Sequence, residues 1–360
     1  MQIIIVSPSL DSTKNVSGVS SVTRFIIENN PRHDYIHFEL GRKDGEKGGI
    51  YRVSSIIRRF KEWKHLLKIY PNAIVHYNFP LEKPSILRDT PFMRAALKNG
   101  NNMVIHIHGG NYLTSDSIPF PFRLILRHVF SWQVPFIALS EKEAKILREK
   151  FHAKHAFSLP NCIDLRDAQT FERNYRDDFP ALTLGYWGRI AKTKGMEYLL
   201  RACTLLKERS IPFRLKLAGA EEVEEQYLPQ FCKMLGNKFE YNGILSGKHK
   251  DQFLRSLDIL VMPTFFEGLP LSLLEGMSYG IVPVITPVGS IPTVVTDHQN
   301  GLFIKVKDTD SIVEAITCLH ENRNRLQQMS QAARHYIFTH FNADTYIENL
   351  NQIYSISQRQ

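Results

Sequence analysis

A chain of 360 residues, 43% apolar and 22% charged, is long enough for two domains with separate cores and has an ordinary soluble composition. No apolar run approaches the ~20 residues of a membrane-spanning helix. The net charge of +9 lies in residues 1–165, with 23 Lys and Arg against 14 Asp and Glu, while residues 166–360 hold 22 of each. The first half is therefore expected to meet something anionic: lipid, a phosphorylated acceptor or nucleic acid.

From the N-terminus, Met1–Val6 lacks the basic start and cleavage site of a signal peptide and reads as a buried first strand. Further strand-like segments follow at Tyr35–Glu39, Ala73–Tyr77, Met103–His108, Pro135–Leu139 and Ala156–Leu159, with helical segments between them. Ser17-Gly18-Val19-Ser20 falls between strand Gln2–Ser7 and helix Val22–Glu28, a position suited to anion contact. Over Ser54–Tyr70, apolar residues including Phe60 and Trp63 recur at helical spacing among Arg58, Arg59, Lys61, Lys64 and Lys68. This stripe either packs a covering helix on its sheet or lies on an anionic membrane with Trp63 and Phe60 inserted. Alternation places His106 and His108 on one face, and Gly109-Gly110 behind them let backbone amides come close to a ligand. His108 is either structural or looks into a ligand cleft. Ser140 is a predicted cap for helix Glu141–Phe151, with Glu143 completing a capping box. Leu165–Pro180, of mixed charge and little periodicity, reads as a connector.

A second alternating series has strands at Leu182–Trp187, Phe213–Ala218, Phe239–Asn242, Ile259–Met262, Val282–Thr286 and Gly301–Ile304. Helices close the chain, roughly Thr309–Phe338 with a break near Asn322, then Ala343–Ser355. Alternation from end to end predicts an α/β fold of two Rossmann-like, doubly wound domains with parallel sheets. Ligands bind beyond the carboxyl ends of such strands, so domains facing across a cleft would trap one between them. The four cysteines, Cys162, Cys203, Cys232 and Cys318, have no metal-type or redox-type spacing. They predict a reducing compartment, best met by the cytoplasm, and no zinc site.

Three segments carry candidate chemistry. Strand Leu182–Trp187 runs into Gly188-Arg189-Ile190-Ala191-Lys192-Thr193-Lys194-Gly195 and then helix Met196–Lys207. That cationic turn at a helix start is either a diphosphate cradle or a solvated basic turn. Pro263-Thr264-Phe265-Phe266-Glu267-Gly268-Leu269-Pro270 leads into an apolar helix containing Glu275. Glu267 and Glu275 either accept hydrogen bonds from sugar and ribose hydroxyls or are solvated residues at a helix start. Asp308-Thr309-Asp310 precedes the periodicity of Ile312, Val313, Ala315 and Ile316, the mark of a helix cap, and no catalytic metal is expected there.

In order and spacing these residues resemble the retaining GT-B glycosyltransferases of family GT4, also known as glycosyl transferases group 1, over nearly the whole chain. The landmarks are Ser17-Gly18, His76, His108-Gly109-Gly110, Ser140-Glu141, Pro160-Asn161-Cys162-Ile163-Asp164, Gly188-Arg189 with Lys194-Gly195, Glu267 through Glu275, and Asn300-Gly301-Leu302. The family often has paired glycines where this chain has Ser17-Gly18. The resemblance implies that Arg189 and Lys194 bind a donor diphosphate and that Glu275 holds ribose hydroxyls. Glu267 would lie against the donor sugar, with the amides of Gly268, Leu269 and Pro270 positioning it, and Gly18 would face the phosphate. His108 would sit near the reacting centre. The last helix would cross back to the first domain, giving domains 1–165 plus 342–360 for the acceptor and 166–341 for the nucleotide sugar.

The expected activity is metal-independent, retaining transfer of a sugar from a nucleoside-diphosphate sugar to an acceptor hydroxyl, without a cofactor. The basic first domain points to a saccharide or lipid-linked acceptor in surface polysaccharide or glycolipid assembly, and to a cytoplasmic protein peripheral to an anionic membrane. The alternatives are a nucleotide-sugar epimerase on the same scaffold, or a non-catalytic basic module at a membrane surface. Nucleic acid is set aside as a partner, because no motif of a nucleic-acid-binding fold is present and Glu267 and Glu275 would have no purpose.

Overall fold

The computed structural model describes residues 1–11, 15, 17–41, 50–115, 117–173, 181–222 and 225–358. The chain divides into two compact units, Met1–Cys162 with Ala343–Gln360, and Ile163–Asn342.

The first unit runs β1 (Gln2–Ser7), α1 (Gly18–Asn29), β2 (Asp34–Glu39), α2 (Ile50–Ile69), β3 (Ile74–Phe79) and α3 (Lys83–Lys98). It continues with β4 (Met103–Ile107), α4 (Asn111–Thr114), α5 (Phe120–Phe130), β5 (Phe136–Ala138), α6 (Glu141–Lys150) and β6 (Ala156–Ser158). Its six strands are parallel in the order β2-β1-β3-β4-β5-β6. β3, β4 and β5 are buried along their whole length, as central strands covered on both faces must be.

One face of this sheet is apolar. Val75, Tyr77, Ile105, Ile107 and Phe136 pack there with Trp63 of α2, Phe92 of α3, Leu126 of α5 and Leu147 of α6. The single leftward connection, α1, lies on the opposite face, as right-handed crossovers require. The second unit ends at Asn342, and the helix that follows, Ala343–Ser357, joins α1 and packs against β4.

Trp63 settles the first alternative for α2. Its ring is fully buried, stacks at a tilt on Phe38, and its Nε1 donates to the Phe92 carbonyl at 2.9 Å. Phe60 packs edge-on to Phe92. Neither is available for insertion into a membrane, because both fill the gap between α2, α3 and the sheet.

Other local expectations shift by a residue or a turn. Ser17 caps α1 by accepting from Ser20 N, so the helix starts at Gly18 and not at Val22. β3 runs two residues past the expected end at Tyr77, to Phe79, with His76 inside it. Ser140 Oγ accepts from Glu143 N, and the Glu143 carboxylate reaches Leu139 N at 3.0 Å, one residue beyond the usual capping box. The connector holds a one-turn helix, α7 (Arg166–Gln169), and its residues 174–180 lie outside the described ones.

The second unit continues β7 (Leu182–Trp187), α8 (Met196–Glu208), β8 (Phe213–Ala218), α9 (Tyr227–Leu235), β9 (Phe239–Tyr241), α10 (Gly247–Arg255) and β10 (Ile259–Met262). Then come α11 (Leu271–Ser278), β11 (Val282–Ile285), β12 (Leu302–Phe303), α12 (Thr309–Glu321) and α13 (Arg323–His340); α14 (Ala343–Ser357) is the helix already placed on the first unit. The strands are again parallel, ordered β12-β11-β10-β7-β8-β9. Asp308 Oδ1 accepts from Ser311 N at 2.8 Å, so this aspartate is the cap of α12. Asn322 ends α12 and caps α13 through Arg325 N.

Candidate functional site

In the second sheet the chain lays β7, moves outward to β8 and β9, then returns to the other side of β7 with β10. The gap between the carboxyl ends of β7 and β10 is the topological switch point, where an open α/β sheet leaves room for a ligand. Both loops singled out in the sequence emerge there.

The loop after β7 is shaped by glycine. Gly188 has φ +144 and its N–H donates to Ala218 O at 3.0 Å. Lys192–Lys194 form one 3-10 turn that closes at Gly195, φ +75, where a Cβ would overlap the Pro263 carbonyl. This left-handed residue lets the loop after β10 lie directly against the start of α8. Phe265 N donates to Thr193 O at 3.0 Å, and the buried Thr264 hydroxyl contacts the same carbonyl at 3.4 Å.

The result brings Lys194 to Glu267. Lys194 Nζ lies 2.5 Å from Glu267 Oε1, and Thr264 Oγ1 donates to that oxygen at 3.1 Å. The Glu267 side chain is only 12% exposed and that of Lys194 25%. Arg189, beside them in sequence, pairs with Glu222 at 3.5 Å with both side chains partly open to solvent. Tyr186 holds the Arg189 backbone in place by donating to its carbonyl at 2.6 Å. Burial, reinforced by the charge of Glu267, raises that phenol well above its usual range and keeps it a donor.

Glu275 sits in the second turn of α11. Lys250 Nζ reaches its Oε1 at 2.6 Å and Trp187 Nε1 donates to its Oε2 at 3.1 Å. Its side chain is 19% exposed. The solvated-helix-start reading therefore fails for both glutamates: each is largely covered and held by a cation. Gly276 carries α11 against Trp187, whose ring a Cβ there would touch at 2.9 Å.

The turn Gly268-Leu269-Pro270 leads into α11, with Pro270 at the cap position and no side chain capping the helix. Proline has no N–H, so Pro270 cannot be one of the positioning amides; that part of the expectation is corrected. Donors in this turn are the N–H groups of Gly268 and Leu269, followed by the first amides of α11. Gly268 O accepts from Ser290 N at 3.0 Å, and a Cβ at Gly289 (φ +58) would overlap the Glu267 carbonyl. Close backbone packing on two sides thus fixes the Glu267 loop.

In the first unit, His108 follows β4 and its Nε2 lies 2.5 Å from Asn78 Oδ1. Asn78 Nδ2 donates to Val6 O and Thr23 Oγ1, so its Oδ1 must accept and His108 carries its proton on Nε2. His108 stacks on His106 with ring centroids 4.1 Å apart. His106 Nδ1 is 3.3 Å from His76 Nε2, and His76 Nδ1 is 2.6 Å from the Tyr354 hydroxyl of α14. Although part of its surface is open, His108 lies among packed neighbours, and desolvation lowers its pKa to about 3. Burial does the same to His76, with the charge of His108 adding, and holds His106 well below the usual range.

Gly110, φ +124, packs so closely on Leu81 that a Cβ would stand 2.6 Å from its carbonyl oxygen. Gly18 opens α1 with free space where a side chain would project. The structure thus brings Lys194, Glu267 and the Gly268–Pro270 turn together, places Arg189 and Glu275 on the same loops and helix, and leaves His108 and Gly18 on the other unit. Sequence reasoning missed Lys250, Thr264 and Asn78. Trp187, adjoining Gly188-Arg189, had a signal in its position; Lys250 had none, since no spacing ties it to Glu275.

The fold class follows from solved structures. Sucrose-phosphate synthase from Thermosynechococcus elongatus superposes with a TM-score of 0.77 at 16% identity, covering 98% of each chain. HepE of Anabaena, solved with UDP-glucose, gives 0.73 at 13% identity over 99% of each. Two parallel six-stranded sheets with this connectivity are the GT-B fold. Residues 171–336 match the family described as glycosyl transferases group 1. An uncharacterized glycosyltransferase of Methanocaldococcus jannaschii is 26% identical over 172 residues, 47% of this chain and 44% of the relative. The match spans about half the length of such curated relatives.

Proposed function

We propose that this protein transfers a sugar from a nucleoside-diphosphate sugar to an acceptor hydroxyl, with retention at the anomeric carbon. The observation that carries the reading is the meeting of Lys194 and Glu267 at the switch point of the second sheet, 2.5 Å apart and mostly covered. A carboxylate so placed accepts from sugar hydroxyls, and the cation beside it faces the leaving diphosphate. Arg189 joins Lys194 in stabilising the charge that grows on the departing phosphate oxygen, in a preorganised electrostatic role. A single cation at ~4 Å from phosphate is worth roughly 4 kcal/mol at an intermediate dielectric, so two suffice without a divalent metal.

Glu275 takes the ribose hydroxyls, with Lys250 and Trp187 holding its two oxygens in a fixed orientation. The acceptor attacks from the face that the diphosphate leaves, and the leaving oxygen takes its proton. His108, neutral and with Nδ1 unprotonated, offers that nitrogen as a hydrogen-bond acceptor on the first unit. The basic first unit suits a saccharide or lipid-linked acceptor bearing phosphate, as in surface polysaccharide or glycolipid assembly on the cytoplasmic side of a membrane. The solved complex of HepE with UDP-glucose supports the donor class by likeness of fold.

A thermal-shift screen of UDP, GDP and ADP sugars tests the donor, since a ligand bound only by the native state raises the melting point. One nucleotide sugar should raise it by several degrees, and transfer should persist in EDTA. No shift with any of them would overturn the reading. Conversion of the sugar without acceptor would replace transfer by epimerisation.

A further inference from the structure

The first unit's positive charge is concentrated on one side of its sheet. Among described side chains, α2, α3 and α5 carry eleven Lys and Arg against two acids, and α6 beside them adds four against three. The helices of the opposite face, α1 and α14, carry one against three.

Apolar exposure follows the same division. Apart from Met1, every large apolar side chain exposed on the described part of this unit lies on α2, α3 or α5. Val53, Leu87, Phe120 and Leu124 fall within the first two turns of their helices, Ile57 follows at the start of the third turn of α2, and Phe120 is 63% exposed. Helices that connect parallel strands run back from the carboxyl to the amino edge, so these first turns share the edge from which His108 and Gly18 emerge. α2 touches α3 and α3 touches α5, so the five side chains stand as a belt toward one end of three neighbouring helices. Behind it, toward the helix ends, stand Lys61, Lys64, Lys68, Arg94, Lys98 and Arg127, all exposed. Ile69, at the far end of α2, stands outside the belt.

We infer that the α2–α3–α5 face docks on an anionic lipid bilayer, with Ile57, Phe120 and Leu124 entering the acyl boundary and the lysines and arginines lying among the headgroups. Basic residues beside inserted apolar ones are the chemistry such an interface selects. Nucleic acid fits worse, because aliphatic tips such as Val53, Ile57 and Leu87 offer no ring on which a base stacks. Docking brings the strand edge bearing His108 alongside the bilayer. Only the use of that placement, delivery of a lipid-linked acceptor, rests on the transfer reading.

Sedimentation of the full chain with vesicles of phosphatidylcholine alone, or mixed with phosphatidylglycerol, tests the proposal. Binding is expected with the mixed vesicles only and weakens with salt. The triple variant Lys61→Gln, Lys64→Gln, Lys68→Gln should bind about 100-fold more weakly, at ~1 kcal/mol per cation. The pair Phe120→Ser, Leu124→Ser should lose about tenfold. Lys233→Gln with Lys248→Gln, exposed on the other unit, should change nothing, and all variants should melt like the parent. Equal binding to both vesicles, no loss in the triple variant, or preference for a short DNA duplex over vesicles would each overturn it. The readout is partition and not transfer, so its failure leaves the donor assignment untouched.

Discussion

At the scale of the residue, Lys194 and Glu267 depend on each other. Removing the cation leaves a carboxylate that is 12% exposed with one remaining hydroxyl donor, Thr264, and removes positive charge from the proposed diphosphate site. Lys194→Ala should therefore lower turnover by more than tenfold, or above ~1.4 kcal/mol of transition-state stabilisation. Steady-state kinetics with the donor from the thermal-shift screen checks this; unchanged turnover would remove Lys194 from the site. Glu267 and Lys194 could be picked out in the sequence because each sits in a short segment bounded by glycine or proline. Lys250 could not. It lies on α10, 25 residues before Glu275, and only the return of the chain beside β7 brings the two together.

At the scale of the element, the turn before α8 has little freedom. Gly195 combines φ +75 with a backbone carbonyl where a Cβ would project, and that carbonyl belongs to the loop carrying Glu267. Gly195→Ala should cost about 3 kcal/mol through left-handed strain and the forced separation of the two loops. Gly18→Ala, in the first turn of a helix with open space around it, should be neutral or slightly stabilising. Urea unfolding of the two variants gives the comparison; equal stability would mean that the loop yields easily.

Elements were also what the sequence made easiest to read. Apolar runs such as Ile3–Val6 and Leu182–Trp187 announce strands covered on both faces, and the two series of six follow from them. Ends were less readable, since Asp34 and Phe79 gain their strand partners only through pairing with β1 and β4. The stripe on α2 shows where local pattern stops: Trp63 and Ile57 stand at positions of one helix, yet one is core and the other exposed. Which side faces the sheet is set by Phe38 and Phe92, far away in sequence.

At the scale of the whole molecule, two fully buried imidazoles, His76 and His106, tie stability to pH. In the unfolded chain each titrates near ~6.5, whereas burial holds His76 to about 3 in the fold and His106 well below its ordinary value. Below ~6.5 the unfolded chain binds protons that the fold refuses. Stability is thus intact above that pH and is lost as pH falls toward the folded values, by up to ~3 kcal/mol per pH unit for the pair. Urea midpoints should drop between pH 7 and pH 5, and His106→Gln should reduce that slope. A flat profile would show that these rings are charged in the fold.

Tyr354, which reaches His76 from α14, belongs to a helix separated in sequence from the rest of its unit by residues 163–342. During synthesis the second unit is therefore finished, as one uninterrupted stretch, while the first still has a bare flank over His76 and β4. Nascent chains should hold a folded second unit before the earliest-made unit receives its last helix.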